Sequence, residues 1–240
     1  MRADSSNCRA DPVATPTNSE LRSRLEILDT CVISDAMDAL SAAGAELRVS
    51  PMGPAQRIVG PCVTVRLISA EGQGTPLKHL CATAIEMAQA GDVILIEHQA
   101  PTVASGWGGL LSIAARRKAV AGVVINGLCR DVDDFWTLDF GVWAAGSAPR
   151  SARGRVVEES TGGTLTFGGV DVRPGDWVVA DRTGALTIPA ADIENVLVKA
   201  ESLARREQLM AADLRAGSPV SEVLGTAYET MLTTATRETT

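Results

Sequence analysis

Two runs near the middle of the chain, Val93–Glu97 and Gly122–Asn126, are apolar at nearly every position. A strand with one wet face alternates apolar and polar residues, whereas one covered on both faces does not. Both runs therefore predict strands buried between two layers. Helical-period segments separate the strands. Leu77, Leu80, Cys81, Ala84, Ile85 and Ala88 make one stripe of a helix over Pro76–Ala90, and small residues fill a helix over Leu110–Arg117. An alternating run, Cys62–Ile68, comes first, behind the breaker Gly60-Pro61. The order strand, helix, strand, helix, strand predicts a layered α/β sheet with covering helices.

The flanks complete the outline. Residues 1–19 lack apolar periodicity and read as a disordered tail, leaving 20–240 as a single domain. Glu20 to Ala43 is helical in two pieces broken near Asp29–Thr30. Leu21, Leu25 and Leu28 share a face, Ser34 is placed to cap the second piece, and Gly44 to stop it. Short β-type runs come after the central region at Val142–Ala145, Val156–Val157, Thr164–Phe167, Val170–Val172, Trp177–Asp181 and Ala185–Ile188. Pro189 opens a long helix, about Ala190 to Ala216, which Gly217 stops. Ala90-Gly91-Asp92-Val93 through Glu97 and Pro174-Gly175-Asp176-Trp177 through Asp181 echo each other as turn, apolar strand, then acid, which predicts one turn geometry used twice.

Composition narrows the function classes. A net charge of −7 and a pI near 4.9 repel phosphate backbones and anionic membranes, so neither nucleic acid nor membrane is an expected partner. No run approaches the ~20 apolar residues of a membrane span, and Arg2, Asp4 and Arg9 precede no apolar signal region. Five widely spaced cysteines without a C-x-x-C pair argue against a disulfide framework and fit a reducing cytoplasm.

Three places can carry chemistry. Arg130-Asp131 comes after a buried strand, and ligands of α/β sheets favour the carboxyl ends of strands. Arginine offers a planar fork for a carboxylate, and aspartate a hard oxygen for Mg²⁺ or Mn²⁺. The same pair serves equally well as a loop ion pair or a turn cap. Gly106-Trp107-Gly108-Gly109-Leu110-Leu111 puts glycines before a helix, where backbone amides can approach an anion, or simply makes a tight connection. Glu207 falls on the apolar stripe of the last helix, where a carboxylate is costly unless paired or tied to a metal. That cost vanishes if the stripe ends near Ala204. Asp133 and Asp134 read as a solvated helix start. The two histidines, His79 and His98, make no zinc pair, and no G-x-S-x-G nucleophile is present.

Gly91-Asp92-Val93, then Gly108-Gly109-Leu110-Leu111, then Gly122 to Asp131, then Gly175 to Asp181 with Gly184 and Pro189, resemble the RraA-like family, which includes the class II 4-hydroxy-4-methyl-2-oxoglutarate (HMG) and 4-carboxy-4-hydroxy-2-oxoadipate (CHA) aldolases. The likeness runs in order over about residues 25–215. It implies an α/β sandwich of the swivelling-domain type with N- and C-terminal helices, assembled as trimers or dimers of trimers with sites between subunits. It further implies that Asp131 ligates Mg²⁺ or Mn²⁺ and that Arg130 holds a small 2-oxo acid substrate. Amides of Gly108, Gly109, Leu110 and Leu111 would bind its carboxylate. Glu207 of a neighbouring subunit would reach the metal through water.

One departure stands out. The aldolases carry an acid at the first position of a D-x20-R-D pattern, and 20 residues do separate Gly109 from Arg130, but position 109 is glycine. A carboxylate is lost unless Glu97, Asp133 or Asp134 compensates. The resemblance supports a metal-dependent lyase that cleaves a C–C bond through a pyruvate-type enolate, as an HMG/CHA aldolase or an oxaloacetate decarboxylase does. The alternatives are a non-enzymatic regulator that binds a ribonuclease, as in one branch of the family, and a diverged enzyme of a specialised pathway.

Overall fold

The computed structural model describes residues 16–74, 78–101 and 103–225. Two helices come first, α1 (Asn18–Leu25) and α2 (Thr30–Leu40), and after them strands β1 (Glu46–Leu47), β2 (Ser50–Pro51) and β3 (Ile58–Ser69). The central units are α3 (Ala82–Met87), β4 (Val93–His98), α4 (Gly109–Arg117), β5 (Gly122–Cys129), α5 (Val132–Leu138) and β6 (Val142–Ser147). Then come β7 (Val156–Thr161), β8 (Leu165–Phe167), β9 (Val170–Val172), β10 (Trp177–Ala180), β11 (Ala185–Ile188), α6 (Ile193–Arg215) and α7 (Val220–Val223).

Among the described residues, nine strands form one sheet in the order β1-β11-β10-β3-β4-β5-β6-β2, with β7 also pairing β3. The centre β3-β4-β5-β6 is parallel and the wings are antiparallel. Side-chain alternation sorts the core into three clusters. Ile94, Ile96, Val123 and Ile125 face Ala84, Ile85, Ala115 and Phe135 of α3, α4 and α5. Trp177, Val179 and Ile188 face Leu21, Leu25, Ile33, Val196 and Leu203 of α1, α2 and α6. The intervening positions, Val93, Leu95, Val124, Trp143 and Val178, close on one another and on the β8–β9 hairpin. The central strands are thus covered on both faces, as their unbroken apolar runs require, and the architecture is the expected α/β sandwich.

The echoed segments do share one turn. Gly91 and Gly175 have φ of 86° and 90°, in the left-handed region that favours glycine. Asp92 Oδ2 accepts from Gln89 N at 2.8 Å, and Asp176 Oδ2 accepts from Arg173 N at 2.8 Å. Each aspartate closes its turn by accepting an amide three residues back, and the strand it launches lies against β3. Asp176 also accepts from Ala190 N at 2.9 Å, joining the turn to the start of the last helix segment. Asp176→Ala should therefore cost about 1–3 kcal/mol of stability in denaturant unfolding. A loss below a few tenths would show these bonds to be replaceable by water.

Several boundaries differ from expectation for local reasons. α1 begins at Asn18, because Thr17 and Glu20 form a capping box; residues 1–15 of the expected tail lie outside the described residues. Asp29 rather than Ser34 caps α2, through Val32 N at 2.9 Å, and Ser34 instead donates to Glu46. The helix expected over Pro76–Ala90 is only Ala82–Met87, with 75–77 outside the described residues; Cys81 at φ 62° starts it and Ala88 at ψ 141° ends it. Pro61 is not a breaker but lies inside β3. Cys62 N donates to Asp176 O on the β10 edge, so the missing Pro61 amide falls on the β4 edge, where pairing starts only at Cys62–Val93. β5 runs on through Gly127 to Cys129, past an irregularity between Ile125 and Leu128. A Cβ at 127 would meet the His98 side chain at 2.7 Å, so glycine lets the two strand ends close together.

Candidate active site

Parallel β4 and β5 end side by side, and the site is built from the segments that leave their carboxyl ends. Trp107, beyond β4, pairs with Cys129 at the end of β5, and Arg130 N donates to Trp107 O at 3.0 Å. Gly108-Gly109 and Arg130-Asp131 are thereby held together, although 20 residues separate them in sequence. Gly108 needs to be glycine for closeness rather than for its backbone angles: a Cβ there would sit 2.8 Å from Asp131 Oδ2 and 3.0 Å from Arg130 Cγ.

Asp131 stands in the left-handed region at φ 58°, at the N-cap position of α5, yet its side chain makes no cap there. It turns across to α4 instead. Oδ2 accepts from Gly109 N at 3.0 Å, and Oδ1 accepts from Arg130 Nε at 3.0 Å. Each oxygen keeps acceptor capacity, and the carboxylate is about one-third exposed. Arg130 uses only Nε in this pair, leaving its two terminal nitrogens without a partner among the described residues. The amides of Leu110 and Leu111, in the first turn of α4, likewise have no acceptor among the described residues.

These groups open on a cavity of about 680 Å³. Gly108, Leu110, Leu111, Arg130 and Asp131 line it together; Gly109, expected to bind substrate, does not line it, and its amide is taken by Asp131 Oδ2. The cavity also takes in Lys78, His79, Ser105 and Arg153, which sequence pattern did not single out. Lys78 and His79 fall within the helix expected over Pro76–Ala90 but precede α3, and Arg153 sits in a loop, so no local signal marked them. Unpaired amides at a helix N-terminus and a guanidinium on one cavity are groups whose chemistry suits a carboxylate.

The oxygen donors fit a hard divalent ion. Mg²⁺ is usually held by one or two carboxylates and keeps much of its hydration, and Asp131 presents one such carboxylate to the cavity. No group of three or more His, Cys, Asp or Glu able to hold a metal occurs among the described residues. An ion here would take most of its oxygens from water and substrate.

The remaining expected residues fall elsewhere. Glu97 is buried and committed: it accepts from Arg66 Nε at 2.8 Å, Gln99 Nε2 at 2.6 Å and Thr166 N at 3.3 Å. It is not free to replace the acid missing at 109. Glu207 is half-buried on α6 and does not line the cavity of its own chain. The buried stripe of α6 ends at Leu203, with Ala204, Met210 and Leu214 only partly covered. Burial, then the nearby Asp29 and Asp35, push the Glu207 carboxyl above its ordinary range. A carboxyl raised in the folded state takes up its proton more readily there, so folding stability falls as pH rises past the usual glutamate range. Glu207→Gln should consequently raise the melting temperature at pH 8 more than at pH 4; an equal shift at both would contradict this.

Three buried thiols, Cys62, Cys81 and Cys129, are poor nucleophiles. Cys31, Cys62, Cys81 and Cys129 are free, and burial pushes Cys62 to about 12 and Cys129 to about 11, with Cys81 also raised well above its ordinary value. No helix among the described residues is long and apolar enough to cross a membrane.

Comparison with known proteins agrees with this layout. The RraA-like family model, described as Aldolase/RraA, matches residues 30–187. A protein of Halalkalibacterium halodurans named "Putative 4-hydroxy-4-methyl-2-oxoglutarate aldolase" is 30% identical over 174 residues, covering 72% of this chain and 79% of its own. Protein DlpA of Legionella pneumophila is 28% identical over 210 residues; the match covers 88% of this chain but only 34% of DlpA, so this chain spans about a third of that relative. Among solved structures, an uncharacterized protein from Pseudomonas syringae pv. tomato superposes with a TM-score of 0.74 at 24% identity, over 88% of this chain and 100% of that one. Streptomyces coelicolor RraAS2, described as an unusual member of the RNase ES inhibitor RraA protein family, gives 0.70 at 21% identity, over 82% and 98%. The fold, the order of the motifs and the family match agree: the chain belongs to the RraA-like family.

Proposed function

We propose that the protein is a divalent-metal-dependent lyase that cleaves a C–C bond of a small 2-oxo acid through a pyruvate-type enolate. The observation that carries this reading is the meeting of Arg130, Asp131 and the unpaired amides of Leu110 and Leu111 around one cavity. The α4 amides would take the substrate carboxylate. The Arg130 terminal nitrogens would face the 2-oxo oxygen, which gains charge as the C–C bond breaks and its electron pair enters the enolate. For a 4-hydroxy substrate, the hydroxyl proton leaves as that carbon becomes a carbonyl. A proton returned to C3 then gives pyruvate. Mg²⁺ or Mn²⁺ held by Asp131 would supply Lewis-acid polarisation of the 2-oxo and carboxylate oxygens. Asp131 itself keeps Arg130 oriented through Nε. In this reading three copies, or two sets of three, assemble, and Glu207 of a neighbouring copy approaches the ion's hydration shell.

The test is pyruvate release from HMG, CHA and oxaloacetate, coupled to lactate dehydrogenase, with Mg²⁺ or Mn²⁺ and with chelator. Release that needs the metal supports the lyase. The glycine at 109, together with the exposed apolar side chains of Leu110 and Trp136 beside the site, favours a second reading as a protein-binding regulator of a ribonuclease. Folded protein that releases no pyruvate yet slows a ribonuclease would establish that reading instead.

A further inference from the structure

Cleavage of a 4-hydroxy substrate releases a hydroxyl proton and later needs one at C3, so a group on the cavity has to carry it. Among the described residues, the titratable side chains that line the cavity are Lys78, His79, Arg130, Asp131, Arg153 and Glu158. Arginine stays protonated and cannot accept a proton, which removes Arg130 and Arg153. The Lys78 ammonium is paired with Glu86 at 3.4 Å and already carries its proton. Asp131 is engaged by Arg130 Nε and the Gly109 amide. Glu158 has a donor on each oxygen, Cys81 N at 2.6 Å on Oε2 and Thr161 Oγ1 on Oε1. His79 is left.

The bonds around His79 decide what its ring offers. Nδ1 lies 2.9 Å from Leu80 O. A carbonyl only accepts, so Nδ1 carries the ring proton and Nε2 keeps a lone pair. Nε2 has no partner among the described residues. The backbone that carries the ring is braced. His79 O accepts from Ala82 N at 3.2 Å, and Leu80 is buried in the core cluster under α3. Glu158 pins the amide of Cys81, whose backbone stands in the left-handed region at φ 62°. His98, the other histidine, lies outside the cavity lining.

We propose that His79 is the catalytic acid–base of the C–C cleavage. The inference rests on the lyase reading. Nε2 takes the 4-hydroxyl proton as the C3–C4 bond breaks. The O–H electron pair forms the new carbonyl, and the C3–C4 pair enters the enolate. The imidazolium then gives its proton to C3, which completes pyruvate and restores the neutral ring, so no further reactant is consumed. Proton transfer by a positioned side chain contributes about 10²–10⁴-fold. Oxaloacetate loses its C3–C4 bond without giving up a hydroxyl proton: the carboxylate leaves as CO₂, and water can protonate the enolate. His79 therefore separates the two reactions.

The test compares pyruvate release from HMG and from oxaloacetate, with Mg²⁺ or Mn²⁺, in wild type, His79→Gln and His79→Ala. His79 is exposed, so both variants should melt close to wild type. HMG cleavage should fall about 10²-fold or more, and oxaloacetate decarboxylation by less than about 10-fold. Imidazole added to His79→Ala should recover part of the HMG cleavage. Equal HMG cleavage by wild type and variants overturns the inference and leaves the lyase reading standing. So does an equal fall on both substrates, which is how a residue that only shapes the cavity would behave. Wild-type protein that releases pyruvate from neither substrate overturns the lyase reading itself, and this inference with it.

Discussion

Asp131→Ala should lower metal-dependent pyruvate release by about 10³-fold or more while leaving the protein folded. The size reflects two losses at one side chain. The first is the carboxylate that would hold the ion, whose charge stabilisation is worth several kcal/mol. The second is the bond from Arg130 Nε to Asp131 Oδ1, which aims the guanidinium. Removing one preorganised donor to a developing oxyanion costs about 10²–10³-fold elsewhere. The structural cost is smaller. Asp131 Oδ2 accepts the Gly109 amide at the start of α4, and losing such a cap costs about 1 kcal/mol. Its left-handed backbone is also easier for aspartate than for alanine. A rate loss with a nearly unchanged melting temperature separates the chemical role from the structural one. Unchanged turnover would remove Asp131 from the mechanism.

The largest stability effect is expected at Asp181, the acid that closes the second echoed segment. Its carboxylate accepts from Thr30 N at 2.8 Å, Thr30 Oγ1 at 2.8 Å and Thr183 N at 2.8 Å, with Arg57 Nη2 3.8 Å away. It therefore ties the start of α2 to the turn between β10 and β11. Its backbone carbonyl accepts the buried Trp143 Nε1 at 2.6 Å. Asp181→Ala leaves the Thr30 and Thr183 donors unpaired next to Arg57, whose Nε is already buried without a partner. A loss of about 2–4 kcal/mol in denaturant unfolding is expected. Burial alone would raise this carboxyl, but the Thr30 and Thr183 amides, the Thr30 hydroxyl and Arg57 outweigh it and hold it below its ordinary value. The unfolded chain therefore takes up the proton first. The gap between wild type and variant should be full above about pH 4 and close as pH falls below it. A gap that ignores pH would mean that packing, not the charge, is what Asp181 provides.

The fold was largely legible because its signals are local. Unbroken apolar runs marked β4 and β5 as doubly covered, and Gly-Asp pairs marked two identical turns. The features that escaped depend on pairing. β1 and β2 have two residues each and exist only through Leu186 and Trp143 on their neighbours. Pro61 looked like a breaker because the edge its missing amide faces is set by β4 and β10, not by its own neighbours in sequence. In the site, Arg130, Asp131 and the α4 amides were legible as strand-end and helix-start features. Lys78 and Arg153 were not, since only the tertiary fold brings their loops to the cavity. Position 109 was legible as a missing acid, with Asp134 one of three acids named as able to compensate. Asp134 is 25 residues away in sequence, and only the packing of α5 beside α4 places it over that glycine.

The central claim is that this site makes and protonates a pyruvate-type enolate, and it can be tested without knowing the natural substrate. Reversal of the last step removes a methyl proton from pyruvate. Pyruvate in D₂O with the protein and Mg²⁺ or Mn²⁺ should therefore lose its methyl proton signal by NMR. The exchange should stop with chelator and in Asp131→Ala. Folded, metal-loaded protein that exchanges no faster than metal alone would contradict the account.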